Sequence, residues 1–196
     1  MRLIMKTKER ILIESMKLFS VSGFDAVSIR TIADAVEIGN SALYKHFSSK
    51  QAIFDAIVEE SKQRYLKECS RYVTEDIRGV EDVKNVCIRM FTYQTTDEWI
   101  VMFRRILLLE KFKNENIASI YKEFFVDIPI KNLTRIFEDL MDKGLMTKGN
   151  SEVFAIELYS PFYLYHFVER DQKELKELFM EHVDNFFKEH FIPKEK

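Results

Sequence analysis

Ser28-Ile29-Arg30-Thr31-Ile32-Ala33-Asp34-Ala35-Val36-Glu37-Ile38-Gly39-Asn40-Ser41-Ala42-Leu43-Tyr44-Lys45-His46-Phe47-Ser48-Ser49-Lys50 is the stretch on which the fold turns. Ser28 has the side chain of an N-cap and stands ahead of Ile29, Ile32, Ala33 and Val36, which fall on one face of about two helical turns. Glu37 to Gly39 interrupts the pattern, and Asn40 to Phe47 follows as a second short helix with Leu43 and Phe47 on its apolar side. Two short helices across so tight a turn form the geometry that offers the second helix to a major groove. Spacing alone is weak, because many helix pairs of this kind never touch DNA.

Upstream, Ile11, Leu12, Met16, Leu18 and Phe19 recur at helical spacing over Thr7 to Val21, and Gly23 follows where a C-terminal cap belongs. Downstream, Ser48 and Gln51 have the spacing of a capping box, so a fourth helix is expected from there through Phe54, Ile57, Ser61, Tyr65 and Cys69 to Tyr72. Further periodic segments are Val83 to Gln94, Glu98 to Lys111, Asn114 to Phe125 and Ile130 to Lys143, with Pro129 separating or kinking the last two. Gly144 ends this group. Gly149 and Asn150 open a helix to Val168, and Asp171 caps a final one to about Phe191. The expectation is an all-α fold of nine or ten helices. A three-helix helix-turn-helix domain (1–50) is joined by a long helix to a helical bundle (51–196).

Composition agrees with that class. Five Gly and three Pro in 196 residues leave little material for turn-rich β architecture, and 46% hydrophobic with 32% charged residues is a globular balance. Apolar runs such as Ile106 to Leu109 are far shorter than the roughly 20 residues of a bilayer span, and Met1 to Met5 is too short for a signal peptide, so a cytoplasmic protein is expected. Cys69 and Cys87 form no CxxC or other paired ligand pattern and are read as buried thiols. Residues 1–50 carry eight Lys/Arg against five Asp/Glu, while 51–196 carry 22 against 27. A basic head and an acidic body differ in role.

The side chains of the opening stretch sharpen the reading. Ile32-Ala33, Leu43-Tyr44-Lys45-His46-Phe47, the Lys two residues after Ser48, and Gly23-Phe24 ahead of the cap together resemble the signature of tetracycline-repressor (TetR) family regulators, over roughly residues 7 to 55. The remaining three quarters are similar to that family only in length and helical pattern. The resemblance implies phosphate contacts from Ser28 and Tyr44, which fix register without reading sequence, and from Lys50 at the start of the fourth helix. It places Asn40, Ser41 and Lys45 at base edges, Asn suiting adenine and Lys guanine. Arg30, Gly39 and His46 complete the expected DNA set, His46 either touching phosphate or packing the short helix. Two positions depart from the family pattern: Glu37 and Ser41 stand where Gly is usual. Glu37 must then adopt a turn conformation that costs a non-Gly residue on the order of 1 kcal/mol, unless Gly39 relieves it.

In the body, residues 153 to 168 are apolar on nearly every side, and the last helix has a stripe at Leu175, Leu178, Phe179, His182, Val183, Phe186, Phe187, His190 and Phe191. They are expected to pair with the same helices of a second chain, so that residues 151–191 form a two-fold four-helix interface. The resemblance implies the same dimer, whose heads meet successive major grooves of a palindromic operator. Phe91, Trp99, Phe103, Phe112, Tyr121, Phe125 and Tyr163 are expected to wall an apolar effector pocket, with Glu98, Arg104, Arg105 and Glu110 as sources of polarity.

No catalytic constellation, metal-ligand spacing or cofactor motif appears; in particular, the histidines at 46, 166, 182 and 190 contain no HExxH. The expected function is a sequence-specific DNA-binding transcriptional regulator, a repressor released by a small apolar or aromatic ligand. A helical ligand-sequestering protein and a regulator answering to a protein partner remain open at this stage.

Overall fold

The computed structural model describes residues 6–73, 77, 79–165 and 171–192, with the side chains of 72 and 73 excepted. Its helices are α1 (Thr7–Ala26), α2 (Ile29–Val36), α3 (Asn40–Tyr44), α4 (Lys50–Val73), α5 (Val80–Thr96), α6 (Glu98–Glu110), α7 (Glu115–Lys122), α8 (Ile128–Asp142), α9 (Ser151–Tyr165) and α10 (Gln172–His190). A π-helical turn, Glu123–Asp127, joins α7 to α8. Among the described residues there is no strand, only an isolated bridge between Met146 and Phe191. The all-α expectation is met, and none of the described helices is long and apolar enough to cross a membrane.

Several helix starts obey local capping chemistry. Ser28 accepts the Thr31 N–H at 3.0 Å, Asn150 Oδ1 accepts those of Glu152 and Val153, and Asp171 accepts those of Lys173 and Glu174. The fourth helix corrects one expectation. Ser49, not Ser48, is its cap, accepting the Ala52 N–H at 3.0 Å, while Gln51 turns forward to Asp55 instead of closing a capping box. The break expected at Gly23 is present. α1 continues to Ala26 around a break at Gly23, whose φ of 79° and ψ of 165° leave the helical region. Phe167 and Val168, assigned to the ninth helix from the sequence, lie outside the described residues, as do Met1 to Met5.

Contacts divide the chain into two compact units, residues 1–70 with 98–121, and residues 71–97 with 122–196. In the first, Ile11, Met16 and Phe19 of α1, Ile32, Ala33 and Val36 of α2, Leu43 and Phe47 are buried together with Phe103, Ile106 and Leu107 of α6. α6 is therefore a packing partner of α1, and the packing unit extends past the functional boundary expected at residue 50. Trp99 Nε1 donates to the fully buried Ser61 hydroxyl at 2.8 Å, pinning the start of α6 to α4.

The second unit is held by aromatic packing. Phe91 stacks on Phe179 with ring centroids 4.2 Å apart, and Phe162 meets both rings edge-on at 5.4 and 4.9 Å. Pro129 neither separates nor ends the helical run but follows the π turn in the first turn of α8. Having no N–H, it cannot serve the Phe125 carbonyl four residues back, and the Tyr159 hydroxyl donates to that oxygen at 3.2 Å. The wide turn also lets the consecutive Phe124 and Phe125 both be buried.

The turn after α2 answers the question left by Glu37. Glu37 itself takes the left-handed conformation, φ 59° and ψ 45°, with the Glu37 N–H on Asp34 O and the Ile38 N–H on Ala33 O. Gly39 has an ordinary extended conformation, φ −72° and ψ 151°, and relieves nothing. Glu37→Gly is therefore expected to stabilise the fold by about 1 kcal/mol, raising the thermal midpoint by roughly 2–4 °C. An unchanged or lowered midpoint in a calorimetric scan would count against strain at this turn.

Candidate nucleic-acid interface

The buried side chains of α2 and α3 leave a polar surface outward. Ile32, Leu43 and Phe47 are buried, so Arg30, Asn40, Ser41, Tyr44, Lys45 and His46, which alternate with them at helical spacing, are all exposed. Tyr44 keeps 53% of its surface free. α3 is shorter than the sequence suggests. It is assigned Asn40–Tyr44, with Lys45 and His46 in the following turn, although the Phe47 N–H still reaches the Leu43 carbonyl at 3.0 Å.

Each expected contact residue has a definite local state. The Ser28 hydroxyl lies 2.8 Å from Thr31 Oγ1 besides capping α2, so Thr31, which sequence reasoning passed over, shares its exposed edge. Arg30 has an 83% exposed side chain and only a 4.0 Å approach to Asp34, a weak surface pair. Gly39 is exposed at the α3 N-cap.

Lys50 differs from the others. It is half-buried, its amine donates to the Phe24 carbonyl at 2.7 Å and the Asp25 carbonyl at 3.3 Å, and it sits 4.3 Å from the Phe24 ring centre. An ammonium with two of its three protons on α1 carbonyls is first a tie between α1 and α4. The third proton is what it has left for phosphate.

Two further ties were not found from the sequence. Arg10 of α1 donates to the Val36 carbonyl at 2.6 Å, satisfying the end of α2. Glu110 of α6, 4% exposed, accepts the Phe24 N–H at 3.0 Å. Both join residues 26 or more positions apart, and no local pattern signals such a pairing.

The residues expected to wall an effector pocket are divided between the two units. Trp99, Phe103, Phe112 and Tyr121 belong to the first unit, and Phe91, Phe125 and Tyr163 to the second. Phe112 is 87% exposed in the turn after α6, so it walls nothing enclosed. Tyr163 is partly exposed on the outer face of α9. Phe91 is committed to the aromatic core described above. In the first unit, Trp99 borders an open cleft of about 440 Å³ with Lys6, Lys8, Glu9, Glu59, Glu60 and Arg64 on its rim. Arg64 lies over the Trp99 ring at 4.1 Å. That cleft is open, with charged groups on its rim. Of the acidic and basic groups considered for polarity, Glu110 is the buried anion of the α1 tie and Arg104 is 7% exposed.

The cysteines are poor nucleophiles. Burial pushes the Cys87 thiol up to about 12 and the half-buried Cys69 thiol up to about 11. In α10, His190 Nε2 lies 3.2 Å from a Glu157 carboxylate oxygen, and its ring packs 4.4 Å from Phe154 and 4.6 Å from Phe186.

Residues 11–57 match the family model described as bacterial regulatory proteins, tetR family. The chain is 28% identical to the HTH-type transcriptional regulator UidR of Escherichia coli over 140 residues, 70% of this chain and 68% of that protein. It is 36% identical to IcaR of Staphylococcus aureus, the HTH-type negative transcriptional regulator of the biofilm operon icaADBC, over 52 residues, 26% of this chain and 28% of that one. Among solved structures, SmeT in its triclosan complex superposes with a TM-score of 0.73 at 21% identity, covering 96% of this chain and 93% of that one. Salmonella enterica GusR does so with a TM-score of 0.63 at 23% identity, covering 93% and 95%. At these identities the structural likeness speaks to the fold. Taken with the exposed polar face on α2 and α3, the matched head and the named relatives support a DNA-binding transcriptional regulator whose residues 11–57 match the head of the tetR family of bacterial regulatory proteins.

Proposed function

We propose that this regulator is a cytoplasmic repressor that binds a palindromic operator as a homodimer and is released by a small apolar or aromatic effector. The observation that carries the DNA half is the head itself. Tyr44, Lys45, Asn40 and Ser41 stand exposed around a helix whose opposite side, Leu43, is fully buried, so the reading surface is set by the core beneath it. Ser28, Tyr44 and Arg30 serve phosphates; Asn40, Ser41 and Lys45 serve base edges; Gly39 lets the backbone come close; His46 lies at the margin. Lys50 contributes mainly by holding α1 to α4. In functional terms residues 1–50 are the reading domain and 51–196 the ligand-binding and dimerisation domain.

Support for the dimer is the face of α9 that its own unit does not cover. Val153, Ile156 and Leu164 are 55%, 50% and 61% exposed, with Tyr163 and Leu178 of α10 at 36% each. Positions 153, 156, 163 and 164 follow helical spacing, while Ala155, Leu158, Tyr159 and Phe162 on the other side are buried. α9 and α10 thus offer apolar positions suited to a second copy. For the effector, the support is the aromatic interior together with the SmeT complex, whose ligand is triclosan. An effector acts by favouring one spacing of the two heads, and a coupling of about 1–3 kcal/mol alters operator affinity roughly five- to 150-fold.

Two experiments test this reading. In a salt titration on a selected operator, Tyr44→Phe with Lys45→Ala is expected to weaken binding by about 1–3 kcal/mol and flatten the log-log slope by about one; unaltered binding would remove these residues from the interface. In sedimentation, the native chain is expected to be a dimer at micromolar concentration and Ile156→Glu with Leu164→Glu a folded monomer. A native monomer would eliminate the α9–α10 interface.

A further inference from the structure

We propose that Glu110 of α6 is a positioning residue for DNA reading: its carboxylate holds the Phe24 N–H across the gap opened by Gly23, so that α6 sets the corner from which Ser28 and α2 depart. The proposal rests on the reading of Tyr44 and Lys45 as part of the DNA face, and the controls below keep the two apart.

The chemistry at this corner is unusually specific. Glu110 is 4% exposed, and a charge so buried is unfavourable unless its oxygens are used. One oxygen, Oε1, accepts the Phe24 N–H at 3.0 Å. The other, Oε2, meets Lys113 Nζ at 3.5 Å, and the same ammonium reaches Asp25 at 3.8 Å. Gly23 makes the approach possible in two ways. Its φ of 79° turns the Phe24 N–H away from the α1 ladder, and a Cβ at position 23 would stand 2.8 Å from Glu110 Oε1. On its other side Phe24 gives its carbonyl to Lys50, the first residue of α4. A single residue therefore has its N–H on α6 and its C=O on α4. Four residues later Ser28 caps α2. A shift of α6 that lengthens the Glu110 contact frees the corner on one side only, and the direction in which α2 and α3 point is no longer fixed.

An ion pair with Lys113 is the competing role for the same carboxylate, and two conservative variants of the full-length protein separate them. Glu110→Gln keeps an oxygen at the same reach and loses the charge. Glu110→Asp keeps the charge and withdraws the oxygen by about 1.5 Å, one carbon–carbon bond, beyond hydrogen-bond distance. On a duplex selected by the native protein, Gln at 110 is expected to bind within about twofold of native and Asp at least about fivefold more weakly. Binding to random duplex should stay unchanged for both. The reverse order, or native affinity for Asp, overturns the proposal. Lys113→Gln supplies an independent reading should the Asp variant fold poorly. Native affinity agrees with positioning, and a loss of about fivefold or more assigns the carboxylate to the ion pair and overturns the proposal. If Tyr44→Phe with Lys45→Ala has no effect while Glu110→Asp weakens binding, it is the assigned DNA face that fails and not the corner.

Discussion

A helix that must stop and turn within a few residues leaves its last carbonyls and the next free N–H to be satisfied from outside its own ladder, and side chains that take them also fix the direction of the turn. In this chain that demand falls on Gly23 to Ser28, between α1 and α2. It is met by side chains from two distant helices, Lys50 taking the carbonyls of Phe24 and Asp25 and Glu110 taking the Phe24 N–H. A third tie, Arg10 on the Val36 carbonyl, closes the end of α2. With these in place the three helices of the head have defined directions despite their small common core. The reading surface is then a consequence of how the backbone is satisfied.

The same constraint explains why α6 packs with the head. Ile11, Met16 and Phe19 of α1 share a buried layer with Phe103, Ile106 and Leu107 of α6. A charged residue at the end of that layer reaches the one backbone N–H that Gly23 exposes. Apolar packing supplies the energy, of order 25 cal/mol per Å² buried, and the hydrogen bond supplies the register. In the second unit the pattern recurs in different chemistry. There the Phe125 carbonyl that Pro129 cannot serve is taken by Tyr159, inside an aromatic core centred on Phe91 and Phe179.

Much of this was legible in the sequence, and the reasons are local. Ser28, Asn150 and Asp171 announce helix starts because a short polar side chain at that position satisfies its own helix. The periodic apolar positions gave the helix count, and the Leu43 to Phe47 signature identified the head. What escaped was decided by groups far apart in the chain. Nothing near Glu110 signals a bond to a residue 86 positions away. The hold of Lys50 on the α1 carbonyls is equally silent, because its partners are main-chain atoms that no motif displays. The Ser48 cap was misplaced by one residue because Ser48 and Ser49 offer the same hydroxyl, and only the path of the turn after α3 chooses between them. Aromatic content suggested a pocket. Phe112 at the surface and Phe91 in a filled core show why composition cannot distinguish a wall from a plug.

Hydroxyl-radical footprinting of the purified protein on the DNA flanking its own gene tests the account most directly. Two copies joined through α9 and α10, each presenting α3 to a major groove, predict two protected patches about 34–36 Å apart, or a multiple of that, related by two-fold symmetry. A single protected patch, or even protection along the whole duplex, would contradict it.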